Sequence, residues 1–209
     1  MPDADVILLD LGGVLFCDPW ETLLLTPERG LADRLGVPRH TVEAVGAQLW
    51  DVFSVVPAEE SSYWEQCAAG LGVALPVELI RQVERELLTP SPWAQELLAA
   101  AAATGAELGI ASNNTSFWYT KQARALHLDK WIDPALVYVS HDLGVTKGTP
   151  GRGLLEIAAE AVTGSRTGLV EDREPNLRRA AALGLHPFPY AYERDGDRFP
   201  CFSASEIDG

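Results

Sequence analysis

The chain has 209 residues, 47% of them hydrophobic and 22% charged, which is enough apolar material for one packed domain with a modest insertion. Its net charge of −14 argues against nucleic acid, which is bound through surplus lysine and arginine, and disfavours anionic membranes. Any phosphate site would have to be made positive locally, by a metal and a few placed groups. No run reaches the roughly 18 apolar residues needed to span a bilayer. Acids Asp3 and Asp5 stand where a secretion signal would be basic, so the chain reads as cytoplasmic.

Taken in order, the first element is the apolar run Val6–Leu9, continuous rather than alternating, as in a strand buried on both faces. The next stretch, residues 20–89, holds no comparable run. It carries helix signals instead: Thr26-Pro27 opening a turn ended by Gly36, then residues 40–53, 59–69 and 77–88. We expect an all-helical insertion, with Trp50 and Trp64 in its small core. After it, strand-like runs at 107–111, 136–139 and 167–170 are expected to alternate with helices at 93–103, 151–162 and 175–183. The helices are announced by Pro92, Pro150 and Pro175 and stopped by Gly105, Gly164 and Gly184. A final strand near 187–191 contains two prolines and suits only a sheet edge. The expected fold class is therefore α/β: a Rossmann-like parallel sheet with helices on both faces and an inserted helical cap. The core would take residues 1–19 and 90–209, the cap 20–89.

The chemistry-bearing residues fall at strand ends. Asp10 closes the first run and is followed by Gly12-Gly13, which let the backbone turn sharply and approach a ligand. Ser112-Asn113 closes the second, offering a hydroxyl and an amide to phosphoryl oxygens. Lys147 follows the third and can offset the charge of a phosphate and a carboxylate together. Glu171-Asp172 closes the fourth; two adjacent acids repel unless a cation lies among them and Asp10, and oxygen-only ligation suits Mg²⁺. Asp10, Ser112-Asn113 and Lys147 taken singly are as well explained by a turn, a cap or a solvated surface, whereas Glu171-Asp172 favours a metal over a helix cap even alone. Their order, one group per strand on one edge of one sheet, is the stronger signal. Cys17, Cys67 and Cys201 match neither a metal site nor a disulfide framework and read as reduced thiols.

With these residues in place, the sequence resembles the haloacid dehalogenase superfamily. Its four motifs match Val6-Ile7-Leu8-Leu9-Asp10-Leu11-Gly12-Gly13-Val14-Leu15, Ile110-Ala111-Ser112-Asn113, Ser140 to Lys147, and Gly168-Leu169-Val170-Glu171-Asp172. The resemblance implies a phosphatase of a small phosphorylated substrate, acting as a monomer or homodimer. In it Asp10 would attack phosphorus and form an aspartyl-phosphate. Asp10, the Gly12 carbonyl, Glu171 and Asp172 would hold Mg²⁺, and Ser112, Asn113, Gly13 and Lys147 would hold the phosphoryl group, with Asp10, Ser112 and Lys147 taking part in catalysis. Two departures stand out. Most members carry a second Asp two residues after the nucleophile as general acid and base, and this chain has Gly12, resembling in this a branch of bacterial glucose-1-phosphate-type phosphatases. Members also usually have Lys-Pro where this chain has Lys147-Gly148-Thr149-Pro150-Gly151, so a longer or looser loop is expected. Two alternatives stay open: a catalytically degenerate binding protein of the same fold, and a metal-independent 2-haloacid dehalogenase.

Overall fold

The computed structural model describes residues 4–202. Asp3 lies outside them. A five-stranded parallel sheet runs in the order β3-β2-β1-β4-β5, built from β1 (Val6–Leu9), β2 (Glu107–Ser112), β3 (Val137–Val139), β4 (Thr167–Glu171) and β5 (His186–Pro189). β1 is central and pairs Leu9 with Ile110 on one side and with Val170 on the other. Between β1 and β2 lie α1 (Pro19–Leu25), α2 (Leu31–Leu35), α3 (Arg39–Phe53), α4 (Glu60–Leu71), α5 (Val77–Leu87) and α6 (Ala94–Ala102). The rest of the chain adds α7 (Ser116–Leu126), α8 (Ser140–Leu143), α9 (Leu154–Ala161), α10 (Glu174–Ala182) and α11 (Tyr192–Asp195).

The continuous apolar strands are explained by helices on both faces. Because successive side chains of a strand point to opposite sides, Ile7 and Leu9 join one core with Leu97 and Leu98 of α6 and Leu126 of α7. Val6 and Leu8 join the other with Leu154, Leu155 and Ala158 of α9 and Ala180 of α10. Each such side chain, fully buried, contributes about 1.5–3 kcal/mol. Close packing also fixes small residues within the strands. A Cβ on Gly109 would lie 2.5 Å from the Leu136 carbonyl oxygen.

The helices of the insertion close over a third core, with Leu23, Val42, Phe53, Tyr63, Trp64 and Val83 buried among them. Trp64 is in this core as expected. Trp50 is only half-buried, stacked on Trp118 at 6.3 Å, and its remaining surface faces a cavity. Trp118 comes from α7, which follows β2, yet it is fully buried in the insertion's cluster.

Several elements differ from the sequence expectation. Helix α7 starts Ser116-Phe117-Trp118-Tyr119-Thr120, residues of middling helix propensity, and its apolar side chains divide between two cores, Phe117 and Trp118 in one and Tyr119, Ala123 and Leu126 in the other. It is set instead by Thr115, whose hydroxyl accepts from the Trp118 amide at 3.3 Å, and by the burial of Trp118. Helix α1 was also unexpected, and the turn after Thr26-Pro27 becomes helical only at Leu31. Strand β3 begins at Val137 rather than 136. β5 lies at 186–189, one residue earlier at its start than expected, and is an edge strand as its prolines require.

Candidate active site

Strand order reverses across β1, so the crevice beyond the strands' carboxyl ends opens beside Asp10. The Asp10 amide extends the ladder by donating to the Val170 carbonyl at 3.0 Å, and its Oδ1 accepts from the Leu11 amide at 2.7 Å. Its other oxygen, Oδ2, lies 2.7 Å from Lys147 Nζ, which also donates to Glu171 Oε2 at 2.6 Å. Lys147 is only 1% exposed and Glu171 fully buried. The Arg173 amide donates to Glu171 Oε1 at 3.0 Å. One ammonium thus bridges the carboxylates of the first and fourth strands.

The Lys147 loop is not loose. Arg179, on α10, donates through its guanidinium to the carbonyls of Lys147 at 2.9 Å, Thr149 at 2.6 Å and Gly151 at 3.1 Å, and Glu156 Oε1 holds the same guanidinium at 2.7 Å. Asn113 Oδ1 accepts the Lys147 amide at 2.8 Å. The extra residues of the loop are held by this clamp, and the lysine's ammonium reaches both Asp10 and Glu171. No local pattern announced Arg179, whose partners lie more than twenty residues away.

The other expected residues divide into two groups. Asn113 and Gly12 face the same cavity as Asp10 and Lys147. With its oxygen committed to Lys147, Asn113 keeps its amide NH₂ for a ligand. Ser112 is fully buried and sits behind Asp10, where its hydroxyl favours the charged carboxylate. Gly13 stands on the far side, at φ +70°, with a hypothetical Cβ 2.5 Å from Asp172 Oδ2, and its amide donates to the Phe16 carbonyl at 2.8 Å. It is therefore the conformation of Gly13, rather than a donor aimed at the cavity, that the site uses.

Ligand oxygens of Asp10, Glu171 and Asp172 lie within 4.8 Å of one another. Burial pushes Asp10 up to about 7, with Lys147 opposing and Glu171 adding to the rise. Burial likewise pushes Asp172 up to about 8, reinforced by its hydrogen bond to Glu171 and by the charges of Asp10, Glu171 and Asp18. Burial would raise Glu171 too, but Lys147 and the donors around it hold it down at about 2. Asp172 Oδ1 is buried without a partner. When all are ionised, as a bound cation would make them, three carboxylates facing one ammonium leave two negative charges. An all-oxygen donor set with that charge and an orphaned carboxylate oxygen fits a Mg²⁺ ion.

The cavity measures about 570 Å³ and is also lined by Asp18, Trp50, Asp51, Ser54, Arg173 and Asn176. Trp50, Asp51 and Ser54 come from the C-terminal end of α3, so the insertion roofs the site. Sequence reading assigns no role to Asp18, nor to Arg173 and Asn176, which only continue the fourth motif past Asp172. Asp18 lies eight residues beyond Asp10 in a segment without periodicity, and Arg173 and Asn176 read as ordinary residues at the start of a helix. Burial raises the Asp18 carboxyl against the pull of Arg173, whose guanidinium is 3.5 Å away.

No protein-family model and no curated protein matches this chain. Solved structures do. A HAD-family enzyme from Bacteroides thetaiotaomicron, in complex with magnesium and inorganic phosphate, is similar with a TM-score of 0.68 at 17% identity, over 92% of this chain and 97% of that one. A predicted HAD-like family hydrolase from Porphyromonas gingivalis is similar with a TM-score of 0.61 at 19% identity, over 90% and 91% of the two chains. L-2-haloacid dehalogenase from Xanthobacter autotrophicus, with chloropropionic acid covalently bound, is similar with a TM-score of 0.56 at 18% identity, over 89% and 77%.

Proposed function

We propose that the chain, whose fold is that of haloacid-dehalogenase-type enzymes, is a magnesium-dependent phosphatase of this superfamily, hydrolysing a small phosphorylated metabolite through an aspartyl-phosphate at Asp10. The observation that carries the reading is the convergence of Asp10, Lys147, Glu171 and Asp172 at the strand ends, with a partnerless carboxylate oxygen among three carboxylates and one cation. Asp10, Asp172 and Glu171, with the Gly12 carbonyl, would hold Mg²⁺, which supplies the positive charge that draws a phosphate ester to an acidic protein and stabilises its transfer.

The chain's own groups account for the rest. The Leu11 amide and Lys147 fix both Asp10 oxygens, so the nucleophile is oriented before substrate arrives. Lys147 neutralises charge that develops on the phosphoryl oxygens, and the Asn113 amide donates to them. Glu171 stays ionised and keeps Lys147 protonated in a buried place where an isolated ammonium would be disfavoured. The roof from α3 keeps solvent from the bond being broken and limits the ligand to a small molecule.

The same features favour phosphoryl transfer over dehalogenation. An aspartate attacking carbon needs no metal, and Asp172 would then be a third acid of the cluster with no metal ion to face. A panel of phosphate esters assayed with Mg²⁺ and with chelator tests the reading. Hydrolysis that needs Mg²⁺ and is lost in Asp10→Asn is expected. Chelator-insensitive halide release, or equal rates in wild type and Asp10→Asn, would overturn it.

A further inference from the structure

Position 12 lacks a side chain, yet the space a side chain would fill is not empty. A Cβ built on Gly12 would lie 2.2 Å from Asp18 Oδ1 and 3.2 Å from its carboxyl carbon. Asp18 therefore brings a carboxylate into the volume next to Gly12, from the other end of the turn that follows β1. The turn is held closed by the Gly13 amide on the Phe16 carbonyl and by the Cys17 amide on the Thr89 carbonyl. Asp18 lines the same cavity as Asp10, Lys147 and Asn113.

A second observation is independent of the first. Asp18 is the residue immediately before α1, where an aspartate normally accepts a hydrogen bond from the helix's own amides. Its backbone is extended, as a cap requires, but its side chain makes no capping bond. The carboxylate is turned instead toward Gly12 and Arg173, whose guanidinium lies 3.5 Å away and also reaches toward Glu21 at 3.9 Å. The residue gives up a local stabilising contact and points its carboxylate at the nucleophile's loop.

Resting on the phosphatase reading above, we infer that Asp18 is the catalytic residue that exchanges the proton with the leaving group, doing from position 18 what a side chain at position 12 would otherwise do. In the first half-reaction an Asp10 oxygen forms a bond to phosphorus as the bond from phosphorus to the ester oxygen breaks. The departing oxygen takes the proton of the Asp18 carboxyl and leaves as the alcohol. In the second, a water gives one proton to the Asp18 carboxylate while its oxygen bonds to phosphorus and the Asp10–phosphorus link breaks. Inorganic phosphate leaves, and Asp18 carries a proton again. Arg173 is the positioning residue that keeps the carboxylate over Gly12.

The test compares an ester with a good leaving group, p-nitrophenyl phosphate, with hexose and glycerol phosphates, in wild type, Asp18→Asn and Asp18→Gly carrying Gly12→Asp. Asp18→Asn is expected to release one equivalent of nitrophenol per enzyme in a rapid burst and then to turn over slowly, because the aryl oxide leaves unaided while the water attack lacks its base. On alkyl phosphates it should show no burst and a kcat lower by about 10²-fold or more, with KM within a few-fold. The relocated carboxylate of the double variant should restore at least a tenfold share of that loss. Alkyl phosphate turnover by Asp18→Asn within threefold of wild type, with Asp10→Asn inactive, overturns the role of Asp18 and leaves the phosphatase reading standing. Failure of wild type to hydrolyse any ester, or equal rates in wild type and Asp10→Asn, overturns both.

Discussion

Replacing Lys147 with methionine separates the lysine's charge from its volume at the most buried point of the site. The ammonium, 1% exposed, makes contacts of 2.7 Å and 2.6 Å with two carboxylates that form no other ion pair among the described residues. Removing one partner of a buried pair typically costs about 3–5 kcal/mol. The position of Glu171 gives a consistent figure: a carboxyl held at about 2 instead of 4.5 corresponds to ~3 kcal/mol at ~1.4 kcal/mol per unit. In a chain this long each kcal/mol moves the melting point by about 2–4 °C, so Lys147→Met should melt about 6–20 °C lower at pH 7.5 in chelator. Because Glu171 is depressed in the folded state, its stabilisation is present above about 4.5 and lost as the pH falls toward about 2. Asp10 works in the opposite sense: raised to about 7, it subtracts stability as the pH climbs from about 4 to about 7. Without the lysine both carboxyls should be raised, so the difference between variant and wild type should shrink on going from pH 7.5 to pH 4.5. Urea unfolding followed by tryptophan fluorescence reads it. Adding Asp10→Asn and Glu171→Gln to Lys147→Met neutralises both partners of the lysine and should recover most of the loss. A single variant within about 1 kcal/mol of wild type, or a triple variant no better than the single, would refute the reasoning.

Mg²⁺ at about a hundred times its dissociation constant should stabilise wild type by ~2.7 kcal/mol, a rise of about 5–11 °C in the melt, and Asp172→Asn should abolish the shift. A melt unchanged in excess Mg²⁺ would remove the metal from the mechanism. Trp118→Ala should cost about 3–5 kcal/mol in urea unfolding, since the indole is fully buried against Tyr63, Trp64 and Phe117; a loss below 1 kcal/mol would contradict its place in that core. Gly109→Ala should destabilise by about 1–3 kcal/mol, because its Cβ would meet a backbone oxygen that cannot move aside. A thiol reagent at pH 8 should modify exposed Cys201 quickly. It should reach buried Cys17 and Cys67, both of whose thiols burial pushes up, only on unfolding. Rapid reaction of all three would disagree with that burial.

What could be read from the sequence was what depends on neighbours in the chain. Strands covered on both faces wrote themselves as unbroken apolar runs, and Asp10, Ser112 and Glu171-Asp172 directly follow one, while Lys147 stands eight residues beyond Val139. The helices opened by a proline and stopped by a glycine were readable for the same reason. Helix α7 was not, because what fixes it is the seat of Trp118 among side chains forty to seventy residues earlier. The Arg179 clamp was hidden likewise, and the Lys147 loop looked slack only because its restraint comes from α10. Asp18 gave no sign at all: its meaning lies in a volume beside Gly12, and a volume is not written in spacing.

The seat of Trp118 also limits how the molecule can breathe. The indole grows from the sheet side of the protein and is driven into the insertion like a rivet through two plates. Swinging the insertion wide would draw it into water, exposing on the order of 150–250 Å² of ring at a cost of about 4–6 kcal/mol. Substrate exchange should therefore run through the existing mouth of the cavity, by small shifts around Trp50, and the two parts of the protein should melt together in one cooperative step.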